Sequence, residues 1–249
     1  MLLRAGAWLY GLSLLTLLLL WQFTAGLAES RVLPPPLAVL EVMLEALASG
    51  ELLYHLGVTL ARVAAAFLLA MAFGVALGIA MGRSKPLDRV LDGWLILFLN
   101  LPALVTIILC YVWFGLIEAA AIAAVAINKI PNVVVTVREG ARALDPSYLE
   151  MARSFRLSRW RILRYVVLPQ LVPFVVAAAR SGLALIWKIV LVVELLGRSN
   201  GVGFQLSVFF GLFDVAAILA YTLAFVAVVQ VIELAGLQPL ERRVNRWRR

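Results

Sequence analysis

The sequence predicts an all-α membrane protein of six transmembrane helices, both termini cytoplasmic, with a cytoplasmic helix-turn-helix loop between spans four and five. Three observations predict it. Of the 249 residues, 64% are hydrophobic and 14% charged, with a mean hydropathy of +1.00, against about 45–50% apolar and about 25% charged in soluble domains. Six nearly charge-free intervals are each long enough, at roughly 20 residues, to cross a hydrocarbon core about 30 Å thick as helix. The basic residues behind the net charge of +8 sort to one side of those intervals. One cysteine, Cys110, excludes a disulfide scaffold, and the hydrophobe content excludes disorder.

The first interval lies between Arg4 and Glu29. Its charge-free stretch of about 24 residues exceeds the 7–15-residue core of a cleaved signal peptide, so a retained helix is expected. Residues 34–54 open on prolines and carry Leu37, Leu40, Met43, Leu44 and Leu47, with Glu41, Glu45 and Glu51 facing elsewhere. That pattern suits a short helix lying at the surface. The second interval, Arg62 to Arg83, holds Gly74, Gly78 and Gly82 at four-residue spacing, a stripe suited to close helix packing. The third, Asp92 to Glu118, contains Pro102; the fourth, Glu118 to Arg138, contains Lys129 and Pro131. Each proline removes a backbone donor and is expected to kink its helix, either shaping a gate or fitting the bundle. The fifth interval runs from Tyr165 to Val193 and the sixth from Asp214 to Glu233. Three parts follow: an N-terminal helix with its surface segment (1–55), a five-helix core (56–237) and a basic cytoplasmic tail (238–249).

On the side of the termini lie about sixteen Lys/Arg, among them Arg83, Lys85, Arg89, Arg138, Arg142, Arg153, Arg164 and Arg242; the opposite side has about three, Arg31, Arg198 and Arg62. The bias places both termini in the cytoplasm, and it accounts for the basic charge without nucleic acid.

The longest polar segment, residues 138–164, falls between the fourth and fifth spans. Asp145-Pro146-Ser147 is a helix start: Asp145 caps free amides, and Pro146 at the first helical position forfeits no hydrogen bond. A helix from Pro146 to about Phe155 is expected, then a second, capped by Ser158, over Arg159–Arg164 before Leu168-Pro169 opens the fifth span. Arg153, Arg156, Arg161 and Arg164 fall within about 140° on an ideal helix.

Here the residues resemble a family. Bacterial ABC importer permeases carry a cytoplasmic motif written E-A-A, three residues, G, nine residues, I-x-L-P. This chain has Glu150-Met151-Ala152, Arg156 at the glycine position, and Val166-Val167-Leu168-Pro169. The spacing is preserved end to end, with arginine where the family's glycine breaks the two helices and supplies a turn geometry that arginine reaches only at a cost. Leu101-Pro102, Trp113-Phe114-Gly115, Ile130-Pro131, Glu194-Leu195-Leu196-Gly197 and Gly201-Val202-Gly203 resemble the subfamily that imports nitrate, sulfonates and taurine. The likeness covers roughly residues 33–240.

The resemblance implies a non-catalytic permease of a bacterial inner membrane, paired with a second permease copy, most simply as a homodimer. It also implies an ABC ATPase dimer on the cytoplasmic loops and an extracytoplasmic substrate-binding protein. The chain has no G-x-x-x-x-G-K-[S/T] loop, so no cofactor is expected on it, and ATP and Mg would be used by the partner ATPase. Glu150, Met151, Ala152, Arg153, Arg156, Arg161, Leu168 and Pro169 would form the ATPase-coupling interface. The plainer reading of those arginines is a basic loop touching anionic lipid.

Ionisable and polar residues inside the membrane are expensive and default to functional candidates. Lys188, Arg180, Asn100 and Asn128 are the substrate-pathway candidates; the two cations could attract an oxoanion or pair with a carboxylate on another helix. The two asparagines could equally hydrogen-bond between helices, and Lys129 could snorkel towards the cytoplasmic face. Single His55 and Cys110 give no metal or disulfide site; His55 is expected to be solvated or to cap a backbone group. A stand-alone secondary transporter would call for its own coupling-ion site and often an internal repeat, and no repeated half is visible. A membrane enzyme would call for a cluster of acids, bases or metal ligands.

Overall fold

A computed structural model describes residues 2–28 and 32–239. Among the described residues all regular structure is helical: α1 (Leu2–Ala28), α2 (Pro36–Ala48), α3 (Glu51–Arg83), α4 (Lys85–Asn100), α5 (Ala103–Phe114), α6 (Glu118–Arg142), α7 (Pro146–Ser154), α8 (Arg159–Ile162), α9 (Leu168–Gly197), α10 (Val202–Gly211) and α11 (Val215–Ile232). A π turn, Leu163–Val167, joins α8 to α9, and another, Glu233–Leu237, follows α11. Among the described residues, five helical stretches have the length and apolarity to cross a membrane; the bent pair α4–α5 makes a sixth if it counts as one span.

The glycine stripe seats α3 on α6. A methyl group at Gly74 would stand 2.6 Å from Val133 Cβ, at Gly78 2.8 Å from Val137 Cβ, and at Gly82 2.5 Å from Ala141 Cβ. Only the missing side chains allow that approach, which is how helices associate where lipid is as apolar as leucine. On its other side α6 meets α9, with Gly140 under the ring of Phe174. Ile107, Val125, Ile186, Trp187, Val190, Tyr221 and Phe225 fill the core between α3, α5, α6, α9 and α11. Leu17, Phe73, Val112 and Trp113 point outward from the bundle, exposed, as a lipid-facing surface requires.

Several expectations are corrected. The third interval is not one continuous helix but a bent pair, a broken span or a re-entrant turn: Leu101 is extended (φ −70°, ψ 124°) before Pro102, and α4 and α5 meet at 98°. Proline pushes its predecessor out of helical geometry, and Asn100 and Pro102 at the break are exposed. Pro131, by contrast, lies buried in an uninterrupted α6, clasped between α3 and α9. The second interval is only part of α3, whose 33 residues span about 50 Å; Arg62 lies inside the helix rather than at its boundary. Since α3 begins at Glu51, the division placed at residues 55–56 also falls within it. In α2, Val39, Met43 and Ala46 face the core, while Leu37, Leu40, Leu44 and Leu47 are exposed. The expected tail beyond residue 239 and Arg31 lie outside the described residues.

Candidate functional site

Two polar regions sit at opposite ends of the bundle. At the end where α3 and α6 begin, Glu194 of α9 is fully buried and Arg62 of α3 is 3% exposed. Arg62 Nη1 donates to Glu194 Oε1 at 2.7 Å, and Arg62 Nε donates to Glu118 Oε1 at 2.5 Å. Arg62 also donates to the carbonyl of Asn200 at 2.8 Å and to its side-chain oxygen. Arg198 adds a second cation on Glu118, at 2.8 Å. A buried charge is tolerated only when paired and fully hydrogen-bonded, and both conditions are met.

The same cluster fixes the start of α10. Gly201 takes φ +106°, a conformation open to glycine alone. Three successive amides from Gly201 on point back into the bundle: Gly201 N–H donates to His55 Nδ1 (3.0 Å), Val202 N–H to Thr59 Oγ1 (2.8 Å) and Gly203 N–H to Glu194 Oε2 (2.9 Å). Thr59 Oγ1 in turn donates to Glu194 Oε2 at 2.9 Å. Amides that α10 cannot satisfy internally are thus taken up by α3 and α9. Of the two expectations for His55, capping is the one realised, and the ring is buried rather than solvated. This region was not anticipated as a unit. Its signal in the sequence was an arginine eleven residues into an apolar helix whose partners lie more than fifty residues away.

At the other end, α4 is strapped to α6: Arg138 binds Asp92 at 2.5 Å and Asp88 at 3.3 Å, and Arg142 reaches Asp88 and Glu139. Beyond this strap the loop forms as expected. Asp145 accepts from Ser147 N–H at 2.9 Å, Ser158 caps α8 through Arg161 N–H, and Gln170 accepts from Asp145 N–H at 3.1 Å. Leu144, Val167 and Leu171 pin the loop to α9. Arg156 adopts φ +49°. Its N–H donates to the Arg153 carbonyl (2.8 Å) and the Leu157 N–H to the Ala152 carbonyl (3.1 Å), the pairing of a left-handed helix end. The turn the family's glycine supplies is therefore kept, with arginine held in a strained conformation.

Of the expected interface residues, Ala152 is buried and Leu168 half-buried; Glu150, Met151, Arg153, Arg156, Arg161 and Pro169 are exposed. The break after α7 removes the shared helical face computed for the arginines. Exposed beside them are Tyr148, Phe155 (74%), Trp160 (67%) and Tyr165, large rings the charge pattern had overshadowed.

The pathway candidates are not brought together. Arg180 pairs with Glu233 of the segment after α11 at 3.4 Å, the alternative to an open pathway charge. Lys188 is exposed on the outward face of α9. Asn100 donates to the Ile96 carbonyl of its own helix at 2.8 Å, not across helices. Asn128 is half-buried on α6. Lys129 does not snorkel: it is 2% exposed, its stem beside Gly182 of α9. A cavity of about 320 Å³ between α3, α4 and α6, lined by Met81, Trp94, Phe98, Ile130 and Val134 among others, is apolar and offers an anion nothing.

Comparison with known proteins converges on one family. Residues 42–237 match the family described as binding-protein-dependent transport system inner membrane component. A Bacillus subtilis protein named as an aliphatic sulfonates transport permease, SsuC, is 30% identical over 97% of this chain and 88% of its own. The taurine transport system permease protein TauC of Escherichia coli is 29% identical over 94% of this chain and 88% of its own. Among solved structures, an inward-facing form of the MetNI methionine ABC transporter superposes with a TM-score of 0.69 at 19% identity, covering 80% of this chain and 98% of that one; it shares the fold. The chain belongs to the binding-protein-dependent transport system inner membrane components, and is a non-catalytic permease of an ABC importer.

Proposed function

We propose that this permease imports a small anion, sulfonates such as taurine before nitrate, by alternating access driven by a separate ABC ATPase dimer that uses ATP and Mg. An extracytoplasmic binding protein delivers the substrate, and a second copy of this chain completes the pathway. In this reading the basic loop end and both termini face the cytoplasm. The taurine and sulfonate relatives support the substrate class.

The observation that carries the coupling role is the face made by α7, the strained turn and α8. It exposes Glu150, Met151, Arg153, Arg156 and Arg161 together with Phe155 and Trp160. A soluble partner buries such aromatic and arginine anchors, and lipid contact alone explains the charges but not the acidic Glu150. A helix pair continuous with α9 through the π turn can pass a rigid-body movement of the ATPase into the bundle. Replacing Glu150→Lys is expected to lower co-purification of the ATPase and uptake at least tenfold while membrane insertion stays normal. Unchanged co-purification and uptake would remove this face from coupling.

A further inference from the structure

We propose that Lys129 is the anion-recognising group of the translocation pathway, binding the oxoanion head of the substrate in mid-membrane. The proposal rests on the importer reading above and names a site within it. On α6, Lys129 lies eleven residues from Glu118 and nine from Arg138, about 16 Å and about 14 Å along the axis. It is therefore midway between the two polar ends of the bundle, at the depth where transporters hold substrates.

Its surroundings are the second argument. Arg62, Arg138, Arg142, Arg180 and Arg198 are each paired with carboxylates. Lys129 is 2% exposed, and among the described residues it makes no ion pair with a carboxylate. The stem runs where α9 has Gly182, at which a methyl group would stand 3.2 Å from Lys129 Cε; the glycine leaves room for the lysine. A buried ammonium without a counter-charge is costly, and an arriving anion removes that cost. Three ammonium donors and no acceptor suit a sulfonate or another oxoanion. Lys188, exposed on α9, and Arg180, already paired, lack this combination.

The test uses the complete transporter in proteoliposomes, with its ATPase and binding protein, and radiolabelled taurine and ethanesulfonate as probes. Lys129→Met is expected to reduce uptake at least tenfold while still co-eluting with the ATPase as the wild-type assembly does, and Lys129→Arg to retain part of it. In a Cys110→Ser background, Lys129→Cys treated with 2-aminoethyl methanethiosulfonate regains an ammonium and is expected to regain uptake. Wild-type uptake by Lys129→Met would overturn the proposal. So would loss of uptake that tracks dissociation of the permease pair and is not restored by aminoethylation, because Lys129 would then be neutralised by a carboxylate of the second copy. If the wild type carries neither sulfonate, the substrate reading falls by itself, and the same variants are assayed with the solute it does carry. An anion lost in Lys129→Met supports the lysine's role; a neutral or cationic solute carried undiminished overturns it.

Discussion

The two ends of the bundle treat charge in opposite ways. Around Arg62 and Glu194 the charges are answered by groups of this chain, the two at the centre fully enclosed, down to the amides that start α10. Around Glu150 and Arg161 charges and aromatic rings stand exposed on a turn held in a strained conformation. The difference teaches that the first region specifies the fold of one subunit, because a buried pair tolerates only one arrangement, whereas the second leaves its rings and charges exposed, as the proposed partner interface requires.

The comparison breaks most visibly at Glu194. Glu194→Ala takes the buried carboxylate from Arg62, which keeps Glu118, and removes the acceptor of Thr59 and Gly203; breaking such a buried pair costs about 3–5 kcal/mol. A large drop in the thermal unfolding midpoint of the detergent-purified protein is expected, while Glu150→Ala leaves that midpoint in place. Equal midpoints for the two variants would end the distinction between the ends. A smaller effect is expected at the loop's own cap: Asp145→Ala loses the bond to Ser147 N–H and about 1 kcal/mol. It should appear as faster hydrogen exchange across residues 146–154, with none of the change reaching α10. The smallest effect has the opposite sign. Arg156→Gly relieves a left-handed residue worth about 1–2 kcal/mol against a glycine entropy cost of about 0.5–1 kcal/mol, so slower exchange at Phe155–Leu157 is expected. If exchange there quickens, Arg156 is held by contacts rather than strained.

Much of this was legible in one dimension. The spans, the Gly74/Gly78/Gly82 stripe, the Asp145 and Ser158 caps and the turn at 156 follow from local rules: apolar length, small-residue spacing, side-chain capping and turn geometry. What escaped was whatever depends on distant partners. Pro102 and Pro131 look alike in sequence, yet one breaks the chain by 98° and the other sits in an unbroken helix, because Pro131 is buried where α6 packs between α3 and α9, whereas Pro102 is exposed. Arg62 looked like the end of a span, and Lys129 like a residue able to reach the surface.

By itself the sequence determined that this chain crosses a membrane on apolar helices, where its polar loop lies and which transport family it resembles, since burial in lipid and helix capping act over a few residues. Only the tertiary structure decided which charges are answered. Pairing Arg62 with Glu118 and Glu194, tying Arg180 to Glu233 and leaving Lys129 enclosed beside Gly182 depend on which helices touch, and electrostatic energy is set by distance in space, not along the chain.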